Sequence, residues 1–275
     1  MSDLFTYNDG STVIPEDTFR ISPSQISKFF DSTNEWYRTM LLNEEGFQGN
    51  TATYLGTVVH AAAETFLTNG SINEEAINSY IMSINNPEVD IITIDEQWPI
   101  MAEALTNYLS TEFVPISPEC EQFVVAEVMP KVVVGGSIDL YSKNLGGTIT
   151  DYKTMGSLDK ARLPKSFPRA YWFQQLTYAW ALRKNGKPVN YVQLVYVTRN
   201  NTGRYNDKGK ALKDYPTQIH VLKEPVTDES LDIIEGVLKL IAESVTLWKS
   251  NPEYRHLLAQ DWRLKEEPKP KLFKK

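Results

Sequence analysis

The stretch GSIDLYSKNLGGTITDYKT, residues 136–154, holds two acids and a lysine that a β-hairpin would gather. Alternation along a strand puts Asp151 and Lys153 on one face and Tyr152 on the other. A turn centred near Leu145 sets Asp139 about opposite Asp151, so the two carboxylates meet on the same face. Like charges this close call for a cation. Carboxylate oxygens suit a hard one such as Mg²⁺ or Mn²⁺, which keeps waters for a nucleophile and a substrate. Lys153 beside such a site would activate a water or stabilise charge on a phosphate. The same residues would also make an ion-pair ladder on the exposed face of a hairpin, and Asp-x-Lys alone is too common to decide.

Two further patterns supply context. Gly56-x-x-x-His60-x-x-x-Glu64 lines three residues along one helix stripe, with Gly56 admitting another backbone and His60 offering a metal-binding nitrogen. A buried histidine bonded to Glu64 or to a carbonyl has the same signature. Gln174-x-x-x-Tyr178 places an amide and a phenol on one face of an aromatic helix, where they would hold a DNA backbone, position Lys153, or form an ordinary amphipathic edge.

These residues need elements to position them. Residues 1–20 read as a polar, irregular arm. A first helix is expected from about Gln25, capped by Ser24 and broken near Asp31. A second carries His60 and closes at Asn69-Gly70. Helices over Asn73–Ser83 and Glu96–Phe113 follow. From Gln122 the chain turns β-branched, and Pro130, Gly135-Gly136 and Gly146-Gly147 divide it into three antiparallel strands. A helix ending at Asn185-Gly186, strands in YVQLVYVTR and TQIHVLKE, and a long helix capped by Thr227 and stopped by Asn251-Pro252 complete the order. The expected architecture is α/β, a central mixed sheet flanked by helices with a helical N-terminal region. One domain would span residues 21–262, its helical part 21–120 and its sheet part 121–262, with a flexible basic tail over 263–275.

The chain has 275 residues, 41% of them hydrophobic and 23% charged, which is globular composition. One cysteine, Cys120, excludes an internal disulfide framework, a multi-cysteine zinc site and a cysteine-held iron–sulfur cluster. A net charge of −7 argues against coating nucleic acid through bulk positive charge and leaves room for a local basic groove. No basic segment precedes an apolar run at the N-terminus and no stretch is long enough to span a bilayer, so a soluble, cytoplasmic protein without a membrane partner is expected.

The order GTVVHAAAE, GSIDLY, ITDYKT and QQLTYAWAL resembles the PD-(D/E)xK nuclease superfamily, specifically its RecB-like exonuclease branch. The likeness runs from Ile21 to about Arg199, and ISPSQISKFF followed by WYR is similar to the opening segment of that branch. It implies a restriction-endonuclease-like core. It further implies that His60, Asp139 and Asp151 ligate Mg²⁺ or Mn²⁺ together with the backbone carbonyl of Tyr152, and that Lys153 is the catalytic lysine. Gln174 and Tyr178 match the motif associated with DNA binding and active-site support. Glu127 resembles an acid found on the first strand of the meander, which would either bind a second metal or face solvent. Many relatives also carry four cysteines around an iron–sulfur cluster. This chain lacks them, and packing by Trp36, Trp248 and Trp262 is expected to take over the stapling role.

The implied reaction is phosphodiester hydrolysis in DNA by a metal-dependent exonuclease acting on single strands or DNA ends. Arg38, Lys165 and Arg169 would contact phosphates, and Tyr37, Tyr171 or Trp172 would stack on bases, unless these side chains serve the surface and the core. A cluster-free nuclease without a Walker motif is closer to stand-alone phage or mitochondrial exonucleases than to CRISPR adaptation nucleases. The expected setting is therefore phage or prokaryotic replication, recombination or repair, with a replication or recombination protein as partner. The alternatives are a catalytically silent DNA-binding or scaffold protein, and a nuclease subunit active only with a partner that docks on the basic tail.

Overall fold

The elements of the computed structural model, which describes residues 6–8, 11–42, 49–205, 208–211, 213–251 and 253, follow the expected order with additions at the start. A short antiparallel pair, β1 (Thr6–Asn8) and β2 (Ser11–Val13), precedes β3 (Phe19–Ile21). The described residues of the arm thus include short strands, which its polar sequence does not predict, and β3 joins the main sheet by pairing parallel to a later strand. Three residues are too few to show a period in sequence. Ser24 lies inside a 3₁₀ turn, Pro23–Gln25, and does not cap a helix. The helix begins after it as α1 (Ile26–Asp31) and breaks at Ser32 into α2 (Thr33–Leu41).

Helix α3 (Thr51–Asn69) has well-defined ends. The Asn50 side chain accepts from the N–H groups of Ala52 and Thr53, and Gly70, at φ 77°, closes the last turn in the left-handed region. Helix α4 (Glu74–Ser83) follows. Helix α5 (Ile91–Thr111) starts five residues earlier than expected because Asp90, accepting from Thr93 N–H, caps it. It continues through Pro99, whose missing N–H forfeits one helical bond. Burial of Ile94, Trp98, Met101 and Leu105 opposes that loss.

The meander is β4 (Glu119–Met129), β5 (Val132–Ser142) and β6 (Thr148–Met155). Helix α6 (Arg169–Lys184), β7 (Tyr191–Thr198), β8 (Ile219–Pro225) and α7 (Asp228–Ser250) complete the chain, α7 being capped by Thr227 with Ser230. The sheet order is β3-β5-β6-β7-β8, with β4 on the other edge of β5. The sheet is mixed, since β3–β5 and β6–β7 are parallel and the remaining pairs antiparallel. One face packs on α1, α2, α6 and α7 around Trp36, Leu182, Ile241 and Trp248. The other packs on α3, α4 and α5 around Leu55, Ala62, Met101 and Leu105.

One irregularity positions the site. The edge of β5 away from β4 pairs with β3 at residues 132–134 and with β6 only at residues 140–142. Residues 135–139 therefore border a fork in the sheet. Its last rung is Leu140 opposite Thr150, which is the register expected from a turn centred at Leu145.

Candidate active site at the strand fork

Beyond that last rung, Asp139 turns its side chain to β6 and accepts the backbone N–H of Tyr152 at Oδ2 over 2.8 Å. His60, on α3, reaches the same fork. Its Nδ1 lies 3.4 Å from Asp139 Oδ2 and its Nε2 lies 2.9 Å from the Tyr152 carbonyl oxygen. Gly56 lets α3 approach β6, since a Cβ there would meet Thr154 Oγ1 at 3.4 Å. On the other face of β6, Lys153 Nζ contacts Asp151 Oδ2 at 2.6 Å.

The electrostatics of this group follow from burial. Loss of solvent raises the pKa of Asp151, the negative charge of Asp139 raises it further, and Lys153 opposes both. Burial works to lower Lys153, but Asp151 and Asp139 outweigh it and the ammonium is held above its ordinary range. Lys153 thus stays charged, with its Nζ 4.8 Å above the ring centre of Tyr171.

A third acid completes the cluster. One ligand atom from each of His60, Glu121 and Asp139 lies within 4.8 Å of the others. Partial desolvation and the charge of Asp139 push Glu121 up to about 7. One imidazole and several carboxylates around a fork, with a single ammonium beside them, is a donor set suited to a divalent cation with oxygen preference. The Tyr152 carbonyl oxygen lies 2.9 Å from His60 Nε2 and the charge of Asp139 reaches Asp151, so the residues of this site have the chemistry to hold such an ion. Glu127 is exposed like Glu121, but it pairs with Val133 and stands six residues along β4 from it. It faces solvent, apart from the cluster.

From α6, Tyr178 enters the fork. A Cβ on Gly136 would lie 3.0 Å from its hydroxyl. Burial pushes the Tyr178 phenol up, against a hydrogen bond with the Gln174 side chain, and Asp151, Asp139 and Glu121 raise it further. The amide and phenol are thus joined to each other beside the carboxylates. Arg38, Lys165 and Arg169 are all exposed, and Arg169 pairs with Asp31. Tyr37 is buried against Trp248, and Trp172 packs on Phe167, so both belong to the core. Trp36 and Trp248 do meet, at a ring separation of 6.2 Å, whereas Trp262 and the basic tail lie outside the described residues.

The sequence matches the PD-(D/E)XK nuclease superfamily over residues 20–250, a span that contains every residue of the fork. The chain belongs to that superfamily. Its mixed sheet flanked by helices is the restriction-endonuclease-like α/β core. Among solved structures it is similar to a presumed exonuclease from Eubacterium rectale, with a TM-score of 0.54 at 16% identity, covering 92% of this chain and 91% of that one. It also matches an alkaline exonuclease from Laribacter hongkongensis, with a TM-score of 0.36 at 12% identity, covering 75% of this chain and 98% of that one. At these identities the first likeness concerns the fold. A search of curated proteins finds no match. No helix among the described residues is long and apolar enough to cross a membrane.

Proposed function

We propose that this protein is a divalent-metal-dependent deoxyribonuclease that hydrolyses phosphodiester bonds at DNA ends or in single strands, as an exonuclease. The observation that carries the reading is the His60, Glu121 and Asp139 donor group at the fork, with the charge of Asp139 acting on the Asp151–Lys153 pair of the neighbouring strand. Membership of a nuclease superfamily and the exonuclease descriptions of its structural relatives support it.

Mg²⁺ or Mn²⁺, held by His60, Glu121, Asp139, Asp151 and the Tyr152 carbonyl, would supply Lewis-acid activation of the phosphate and a more acidic water. The chain's own residues do the positioning. Asp139 is fixed by the Tyr152 N–H, so its remaining oxygen is presented in one orientation. Lys153, kept charged by Asp151, orients the attacking water or stabilises negative charge that grows on the phosphate. Tyr178 and Gln174 line the fork from α6 and orient the substrate backbone. The expected setting is DNA replication, recombination or repair in a prokaryotic or phage-infected cell.

The test follows end-labelled single-stranded and duplex DNA with Mg²⁺, Mn²⁺ or chelator, comparing the parent with Asp151→Ala and Lys153→Ala. Stepwise, metal-dependent shortening lost in both variants supports the reading and reveals strand preference. Binding without cleavage, unchanged in both variants, overturns it.

A further inference from the structure

Two loops leave the same end of the sheet, because β6 and β7 are parallel neighbours and Met155 and Thr198 are register partners. Lys153 lies two residues before the end of β6, so both loops begin beside the fork. Ligands of α/β sheets gather at this carboxyl end of parallel strands. Residues 156–169 carry four cations against one acid, and residues 199–218 carry five against two. In a chain of net charge −7 this is a local excess of positive charge, even though Arg169, Arg204 and Lys213 are paired with Asp31, Glu96 and Asp159.

The two loops are fastened into one body. Arg199 N–H donates to the Met155 carbonyl at 2.9 Å, and Gln218 Nε2 donates to the Leu158 carbonyl at 3.3 Å. Lys213 pairs with Asp159 at 3.0 Å, and His220 Nε2 lies 2.6 Å from the Pro164 carbonyl. Within this body, Arg199 has its Nε enclosed with no hydrogen-bond acceptor among the described residues. That nitrogen is sealed from solvent, so an anion would meet the half-buried Arg199 through the terminal nitrogens of its guanidinium. At the outer end, Tyr205 is 67% exposed, an aromatic ring offered to solvent beside the cations.

We infer that these two loops form one basic platform that holds a single nucleic-acid strand next to the scissile phosphate, Arg199 taking a phosphate and Tyr205 stacking on a base. The inference rests on the nuclease reading for its placement beside the reaction. Phosphates supply the charge that the loops need, and only an unpaired base can lie on the Tyr205 ring, which selects a single strand over a duplex.

Binding of fluorescein-labelled dT₂₀ and of a 20-bp duplex is measured by anisotropy in EDTA, where nothing is cut, over a range of salt. The variants are the triple Lys160→Ala/Arg162→Ala/Lys213→Ala, Tyr205→Ala, and Lys131→Ala as a remote control, each with its melting temperature recorded. The triple variant is expected to bind dT₂₀ at least tenfold more weakly. Its slope of log affinity against log salt should fall by about 2, at roughly 0.7 per phosphate contact on a single strand. Tyr205→Ala is expected to lose about tenfold on dT₂₀ with its slope kept and duplex binding unchanged. No binding of dT₂₀ by the parent, or the same affinity and slope in parent, triple variant and control, overturns the platform. A parent that binds through these residues but cuts nothing with metal sinks the nuclease reading alone. A parent and triple variant that cut and bind alike sink the platform alone.

Discussion

Asp139 Oδ2 accepts the Tyr152 N–H at 2.8 Å, one residue past the last rung between β5 and β6. The carboxylate thus takes the place of the strand partner that Tyr152 would otherwise have, and the same group is a candidate metal ligand. The two roles separate by substitution. Asp139→Ala leaves a buried N–H without an acceptor and should cost about 1–3 kcal/mol. Asp139→Asn keeps an acceptor and removes a charge that repels Asp151, so in chelator it should melt at or above the parent temperature. Both variants should lose the rise in melting temperature that Mn²⁺ gives the parent. An Asn variant as unstable as the Ala variant would contradict the backbone role.

Gly136 is needed for room and not for backbone freedom. A methyl group there would lie 3.0 Å from the Tyr178 hydroxyl and 3.1 Å from Pro23 Cδ. Overpacking of this kind costs about 1–3 kcal/mol. Gly136→Ala should therefore lower the melting temperature and also displace Tyr178 from the carboxylates, reducing cleavage. Combining it with Tyr178→Phe, which removes the hydroxyl in the way, should restore part of the stability but none of the activity. Denaturation curves and end-label assays on both variants decide this.

How much of the site was legible depends on which turns set its registers. The β5–β6 register at Leu140 and Thr150 follows from the Leu145 turn, and one residue further on it brings Asp139 to the Tyr152 N–H. The His60 and Gln174–Tyr178 stripes likewise keep their helical spacing. Glu121 was missed for a physical reason. Counting back from the Pro130-Lys131 turn sets Gln122 opposite Asp139, but an irregularity between Glu127 and Met129 shifts the pairing by one. Cys120 then faces Leu140 and Gln122 faces Ile138, which leaves Glu121, at φ 47°, alongside Asp139. A bulge has no reliable signature in one sequence. The three-residue β3 was equally illegible, because its pairing to β5 decides its conformation and no local pattern does.

That shift makes a sharp comparison of two acids on one strand. Glu121→Ala removes a donor from the His60 and Asp139 group and should reduce metal affinity or cleavage about 10- to 100-fold, the range seen when groups that tune a metal site are lost. Glu127→Ala, at an exposed position on the order of 20 Å away along the strand, should stay within about twofold of the parent. Titration with Mn²⁺ followed by cleavage rates at fixed metal measures both. An equal loss in the two variants would remove Glu121 from the proposed ligand set.

Trp248 is where α7 meets α1 and α2. Its ring lies 5.3 Å from Tyr37, 6.1 Å from Phe29 and 6.2 Å from Trp36. Truncating a buried tryptophan costs about 3–5 kcal/mol. Trp248→Ala should therefore lose amide-exchange protection first in α7, with α3 and α5 on the opposite face of the sheet affected later. Unchanged protection in α7 would remove this aromatic cluster as the staple of the C-terminal helix.

Glu235 gives the fold a pH dependence away from the fork. Its carboxylate accepts from Lys239 at 2.7 Å and from Trp180 Nε1 at 2.9 Å, with Lys184 at 3.3 Å, and these contacts hold its pKa down to about 2. A carboxyl whose folded-state pKa is depressed contributes stability above its ordinary value of 4.5 and loses it as pH falls toward about 2. In Glu235→Gln the amide oxygen can still accept from Trp180, so the difference between parent and variant reports the charge. The melting-temperature deficit of the variant should be full at pH 7, shrink below about pH 4.5 and nearly vanish only once the pH has fallen below about 2. It should also be smaller in 1 M salt, because both lysines remain partly exposed. A deficit that stays constant across this range would show that shape at the α6–α7 contact matters there and charge does not.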